Sequence, residues 1–213
     1  MKPLLLLLAL PVAAHASWFE YEAGAGLTSY ETEDGRWYQQ RMQHDLTTIA
    51  PEYSVGVTGT IVSRGAWGVD WHADYVNLGR AAASCQCTTS DADYAAHRRG
   101  APTAYFSGSG RAQGVVLTLE PYRWYRGWRF GVEAGAYVYR ATWQDSVTAW
   151  TDGLPDMHMG VAKWNAAPVV GVSVGDGKWS VNYRHYFTGL NSRQMNVPPL
   201  WNDADVIEIK RRF

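Results

Sequence analysis

Trp128-Arg129-Phe130-Gly131-Val132-Glu133-Ala134-Gly135-Ala136-Tyr137-Val138 is the stretch that decides the fold. Every second residue (Trp128, Phe130, Val132, Ala134, Ala136, Val138) is apolar, and those between (Arg129, Gly131, Glu133, Gly135, Tyr137) are charged, small or amphipathic. Successive side chains of a strand point to opposite faces, so a period of two makes a β-strand with one greasy and one mixed face. A helix would scatter both sets around its circumference.

The same alternation recurs on both sides of this stretch. From about Trp18 to Ser29, Phe19, Tyr21, Ala23, Ala25 and Leu27 oppose Glu20, Glu22, Gly24, Gly26 and Thr28. From about Pro51 to Val62, Tyr53, Val55, Val57 and Ile61 oppose Ser54, Gly56, Thr58 and Thr60. A third strand sets Trp67, Val69, Trp71, Ala73 and Tyr75 against Gly68, Asp70, His72 and Asp74. A fourth, about Arg111 to Tyr122, sets Val115, Leu117 and Leu119 against Thr118 and Glu120. After the opening stretch, a sixth from about Trp164 to Gly175 carries Pro168, Val170, Val172 and Val174, its proline unable to donate to a ladder. The seventh opposes Trp179, Val181 and Tyr183 to Ser180, Asn182 and Arg184, and the last opposes Ile207, Ile209 and Phe213 to Glu208, Lys210 and Arg212.

The connections alternate in length. Ser63-Arg64-Gly65, Arg123 to Gly127 and Asp176-Gly177-Lys178 have hairpin length, whereas residues 30–50, 77–110, 142–163 and 188–204 form long polar loops. Short turns at one end and long loops at the other are the pattern of an even-stranded membrane barrel with its turns in the periplasm. The expected fold is all-β, a single eight-stranded antiparallel transmembrane up-and-down β-barrel over 17–213. Ahead of it, Lys2, the apolar run from Leu4 to Ala14 and Ala14-His15-Ala16 make a cleavable secretory signal over 1–16. That run is too short to span a bilayer as a helix, and no later one is long enough, so a membrane must be crossed by strands.

The greasy face points either out to lipid or in to a cavity, as in a soluble ligand-binding barrel. Two features favour lipid outside. Trp18, Trp67, Trp128, Trp179 and Phe213 share the apolar parity beside the short turns, which makes a periplasmic aromatic girdle. The other face carries Glu20, Glu22, Asp70, Asp74, Glu120, Arg129, Glu133, Arg184 and Glu208, too many charges for an apolar ligand. An eight-stranded barrel has room only for its own side chains, and unpaired buried charges cost several kcal/mol each, so these residues are expected to form a linked polar network in the lumen. A narrow channel is the alternative to that plugged interior. The composition, with 11 Trp, 13 Tyr and 21 Gly in 213 residues, suits strands and interfaces, and a net charge of −1 gives no reason to expect a nucleic-acid partner.

On leader, strand count, loop alternation and the ending Val206-Ile207-Glu208-Ile209-Lys210-Arg211-Arg212-Phe213, the chain resembles the small outer-membrane β-barrels. The resemblance implies residence in the bacterial outer membrane among lipid and lipopolysaccharide, and a closing aromatic residue read by the barrel-insertion machinery. Arg211 departs from it, standing on the outward parity where an apolar residue is usual. A narrower resemblance attaches to Tyr183-Arg184-His185-Tyr186-Phe187-Thr188. Lipid A deacylase barrels carry a histidine and, two residues on, a serine nucleophile in the penultimate strand. Here that position is Phe187, and the hydroxyl of Thr188 falls on the opposite parity, so a hydrolase with His185 as base and Thr188 beside it is the weaker functional alternative.

The loops hold Met42-Gln43-His44, Cys85-Gln86-Cys87, His97 and Met157-His158-Met159, soft donors of the kind copper takes, but scattered; no metal and no cofactor is expected. The cysteines are expected to oxidise outside the cytoplasm. Arg98-Arg99 are placed to meet lipopolysaccharide phosphates. Trp37, Tyr38, Gln39 and Gln40, with Pro198, Pro199, Leu200 and Trp201, are expected to expose apolar surface that meets a partner or packs one loop against another. The leading reading is a non-enzymatic barrel whose external loops contact a surface partner or lipopolysaccharide.

Overall fold

The computed structural model describes residues 18–32, 37–39, 42–88, 103–148, 156–191 and 199–213; the expected leader lies outside them. The strands are β1 (Glu20–Tyr30), β2 (Trp37–Gln39), β3 (Met42–Thr47), β4 (Ile49–Arg64), β5 (Trp67–Thr88), β6 (Thr103–Tyr125), β7 (Trp128–Thr148), β8 (Met157–Gly175), β9 (Trp179–Tyr186) and β10 (Ala204–Arg212). Eight of them form a closed antiparallel ring in the order β1-β4-β5-β6-β7-β8-β9-β10, sealed where β10 pairs with β1 from Glu22↔Arg212 to Tyr30↔Ala204. Closure leaves no unpaired edge around the ring, which is the condition for strands to cross hydrocarbon. Leu27, Val55, Leu117, Phe130, Val132, Val172, Val181 and Ile209 all point outward and are exposed, an apolar belt far too continuous for water. The fold is an eight-stranded transmembrane β-barrel.

Two of the turns are tighter than their sequence implies. Gly65-Ala66 joins β4 to β5, with Gly65 at φ +60°, and Arg126-Gly127 joins β6 to β7, with φ of 51° and 81°. Two consecutive left-handed residues match the right-handed strand twist, so Arg123 to Tyr125 stay in the ladder instead of joining the turn. In the third turn the Asp176 carboxylate accepts the backbone N–H groups of Lys178 and Trp179, both at 2.8 Å, which holds that carboxyl below its ordinary range.

Pro168 stands inside β8 opposite Ala136 without breaking the strand. Its carbonyl accepts the Phe187 N–H at 3.1 Å, just beyond Val169↔Tyr186, the last β8–β9 pair. In an antiparallel strand a residue's amide and carbonyl face the same neighbour, so the missing N–H points to where β9 has ended.

Strands β5 to β8 run on past the ring, pairing up to Thr88↔Thr103, Tyr105↔Thr148 and Val147↔Met157, while β1, β9 and β10 stop at its rim. β3 continues this wall beside β5 (Asp45↔Ser84 to Thr47↔Ala82), and β2 pairs with β3. Much of what the sequence assigns to loops 30–50, 77–110 and 142–163 is therefore strand. The alternation there was invisible as a membrane pattern because the outward residues above the lipid are polar (Ser107, Ser109, Gln144, Ser146) and the inward ones include Ala81, Ala83 and Phe106. A bulge at Leu78-Gly79 marks the passage from ring to wall, with Gly79 at φ +76° and its N–H on the Asn77 side chain.

The interior has two storeys. Charged side chains fill the part near the short turns. Toward the loop end they give way to a buried apolar deck that includes Tyr30, Val76, Leu78, Val116, Tyr137, Tyr139, Trp143 and Tyr186. Leu200 and Trp201, expected on the surface, are buried in this deck. A 3-10 turn over Pro199–Trp201 brings them down as a lid, and Gly110 leaves the room, since a Cβ there would strike Leu200.

Candidate functional site

The lumen network is built by parity: inward residues of eight tilted strands converge on one axis. Glu120 on β6 is its hub, accepting Arg129 Nη1 at 2.9 Å and Nη2 at 2.7 Å, His72 Nε2 at 2.9 Å and the Ser173 hydroxyl. Asp70 takes Arg129 at 2.7 Å and Arg212 at 2.9 Å. Glu22 takes His72 Nδ1 at 2.8 Å and Lys210 at 3.1 Å. Lys210 reaches Asp74 at 2.7 Å, and Arg184 spans Asp74 (3.1 Å), Glu133 (2.7 Å) and Glu208 (3.4 Å). Ser54 and Asn182 complete Glu208. Both nitrogens of His72 face carboxylate oxygens; a neutral imidazole donates from only one, so the pair of bonds calls for the imidazolium.

Of the residues the sequence assigned to this network, eight lie in it and Glu20 does not. Glu20 is exposed and lines a hollow of about 240 Å³ at the turn end with Trp18, Thr58 and Arg212, because the ring has opened to water there. His72, Lys210 and Arg212 share the polar parity and supply three of the five cations, although the sequence reading left them out of the network. Their signal was the excess of carboxylates that Arg129 and Arg184 cannot balance. Glu52 was missed as well; it is buried above the network, with Oε2 unpartnered among the described residues.

Trp18, Trp67, Trp128, Trp179 and Phe213 are all exposed at the turn end, joined by Tyr21 and Tyr125. Arg211, the misfit of the closing strand, lies 5.1 Å from the Trp179 ring centroid and 4.9 Å from that of Phe213, so its charge is held against two girdle rings.

At the loop end the hydrolase pairing does not form. His185 points outward, its Nδ1 2.9 Å from Asp205 and its ring 4.4 Å from Phe187. Thr188 is buried and its hydroxyl donates to the Asn202 carbonyl. β9 ends at Tyr186, and the chain turns into a 3-10 segment (Thr188–Asn191) that carries the hydroxyl inward, away from the imidazole. Glu31, His185 and Asp205 bring ligand atoms within 4.8 Å of one another. Of the soft donors, Cys85 is disulfide-bonded and His158 is exposed on β8; His97, Arg98 and Arg99, like the side chains of Met42, His44, Cys87 and Met157 and those of Trp37 to Gln40, lie outside the described residues. On the wall, burial pushes the Asp145 carboxyl up, opposed by the Trp143 indole N–H that it accepts.

No protein-family model matches the chain, and no characterised protein matches it in sequence. Among solved structures it is similar to Ail, the attachment invasion locus protein of Yersinia pestis. In that protein's complex with the heparin analogue sucrose octasulfate the TM-score is 0.40 at 10% identity, covering 92% of this chain and 97% of the other. Against Ail without the analogue the TM-score is 0.37, with the same identity and coverage.

Proposed function

We propose that this protein is a non-enzymatic barrel of the bacterial outer membrane whose external surface contacts a partner outside the cell or lipopolysaccharide. The observation that carries the reading is the division of labour along the strands. The ring is filled by charge pairs below and an aromatic deck above, and β5 to β8 continue past it as a wall with a polar outer face. A rigid scaffold that extends half its strands beyond the membrane presents a surface, and surfaces of this kind are where barrels hold their function. The filled lumen supports a role outside the barrel over one as a channel.

The test removes the connection and keeps the wall. Excising residues 89–102 and joining Thr88 to Thr103 through Asn-Gly should abolish binding of the refolded protein to intact Gram-negative cells, while the barrel keeps its heat-modifiable gel migration. Unchanged binding would sink the reading, as would a change in lipid A acylation, read by mass spectrometry, when the full chain is expressed.

A further inference from the structure

The outward face of β5, β6 and β7 changes character where the apolar belt ends. Tyr75, Val115 and Val138 are the last exposed apolar residues of the belt before Arg80, Arg111 and Arg140, all exposed, with the polar Asn77 and Gln113 between on β5 and β6. Arg80 lies directly opposite Arg111 across the β5–β6 ladder. Arg111 in turn faces Thr142, two residues from Arg140 on the same face of β7, and Trp164 of β8 stands opposite Arg140. Arg80 is thirteen positions past girdle residue Trp67, and Arg140 twelve past Trp128. At ~3.3 Å per residue and a strand tilt of ~40°, they sit ~30 Å above the girdle, just beyond an apolar band ~25 Å tall.

Three like charges in adjacent positions repel, and a directly opposed pair weakens a sheet. Among the described residues none of the three has a carboxylate at ion-pair distance; Arg80 instead donates to the Ser109 hydroxyl at 2.5 Å. Of the carboxylates toward the loop end, Glu31, Asp203 and Asp205 gather around His185 on β9, β10 and the end of β1, with β10 diametrically opposite β6 in the ring, while Asp45 on β3 stands opposite Ser84, four residues past Arg80 on β5. Arg80, alone of the three, also lines an open groove of about 570 Å³ with Ser107, Ser109, Gln144, Ser146 and His158, and the half-buried Asp145 is on its wall. Guanidinium groups pair bidentately with phosphate oxygens, and hydroxyl and amide groups suit a sugar.

We propose that Arg80, Arg111 and Arg140 bind the phosphate groups of an outer-leaflet glycolipid, whose sugar lies in the groove beside them. This rests on the external placement of the wall in the preceding reading and narrows its partner to a lipid of the same membrane. An anion between the guanidinium groups removes the repulsion the sheet otherwise carries, and the height of the patch matches a headgroup above its own acyl chains.

The test uses the refolded protein in zwitterionic micelles, titrated with diphosphoryl lipid A, dephosphorylated lipid A or inorganic phosphate and followed by tryptophan fluorescence. Arg80→Gln/Arg111→Gln/Arg140→Gln should bind diphosphoryl lipid A about tenfold more weakly than the parent, and salt should weaken the parent's binding. The charge-matched Arg64→Gln/Arg126→Gln/Lys178→Gln variant, altered only in the opposite turns, should bind as the parent does. Equal binding by the first triple variant and the parent overturns the proposal. So does an equal loss in the control variant, or competition by inorganic phosphate as effective as by lipid A. Should the triple variant not fold, Arg140→Gln alone decides, with weaker binding expected and unaltered binding fatal. If lipid A binding fails these tests while excision of 89–102 still abolishes cell binding, the patch falls and the contact function stands.

Discussion

The two storeys of the lumen are made by the same inward parity of the same strands, yet one is ionic and the other aromatic. In the lower storey six carboxylates (Glu22, Asp70, Asp74, Glu120, Glu133, Glu208) meet four basic side chains and His72, and each lies within salt-bridge distance of a cation. In the upper storey Tyr137 stacks on Tyr139 with centroids 4.7 Å apart and meets Tyr186 edge-on at 5.0 Å, under the Leu200–Trp201 lid. The lower storey is fixed by charge balance, which is all or nothing. The upper one is fixed by packing, which degrades by increments.

That contrast predicts an order of damage. Arg184→Met should be the most harmful change, because it leaves Glu133, Asp74 and Glu208 short of a buried cation at a cost of about 3–5 kcal/mol. A lowered urea midpoint in detergent and lost heat-modifiable migration are the expected readouts; a midpoint equal to the parent's would show that water or protonation relieves the lower storey. Leu200→Ala should cost about 2–5 kcal/mol through lost burial and a cavity under the lid, with the barrel still closing. If it instead matches Arg184→Met, the deck is as cooperative as the charge network and the distinction fails.

Tyr137→Phe should be neutral or stabilising by up to about 1 kcal/mol, since its buried hydroxyl has no hydrogen-bond partner among the described residues. A clear loss of stability would place an ordered water or a further donor in the deck. The smallest effect belongs outside both storeys. Asp176 in the β8–β9 turn is held below its ordinary range by two backbone N–H groups, so its contribution is present above the carboxyl's unfolded-state pKa and is lost as pH falls through the folded value. Asp176→Asn should flatten that acid slope while leaving the neutral midpoint nearly where it was, as stability curves from pH 3 to 7 would reveal.

The hydrolase pairing shows where a sequence reading runs out. Parity correctly separated Thr188 from His185 so long as β9 continued, and the structure separates them by ending the strand and turning the hydroxyl inward to Asn202. The lid was misjudged for a related reason. Pro198-Pro199-Leu200-Trp201 has no periodicity, and nothing local tells an apolar loop that meets a partner from one that folds back onto its own barrel. The charged cluster was better marked, since Glu22, Asp70, His72, Asp74, Glu120, Arg184 and Lys210 all fall on one parity, though no spacing along the chain says that Lys210 will meet Asp74 or Arg184 meet Glu133.

By itself, the sequence determined the strands of the ring, their two faces and the place of its tight turns, because each of these is a local consequence of period two and of turn chemistry. Only the tertiary structure decided which carboxylate each cation serves, that the upper lumen is an apolar deck sealed by Leu200 and Trp201, and that four strands rise into a wall bearing Arg80, Arg111 and Arg140 side by side. Those features depend on strand stagger and ring closure, which set residues far apart in the chain next to one another and leave no periodic trace in it.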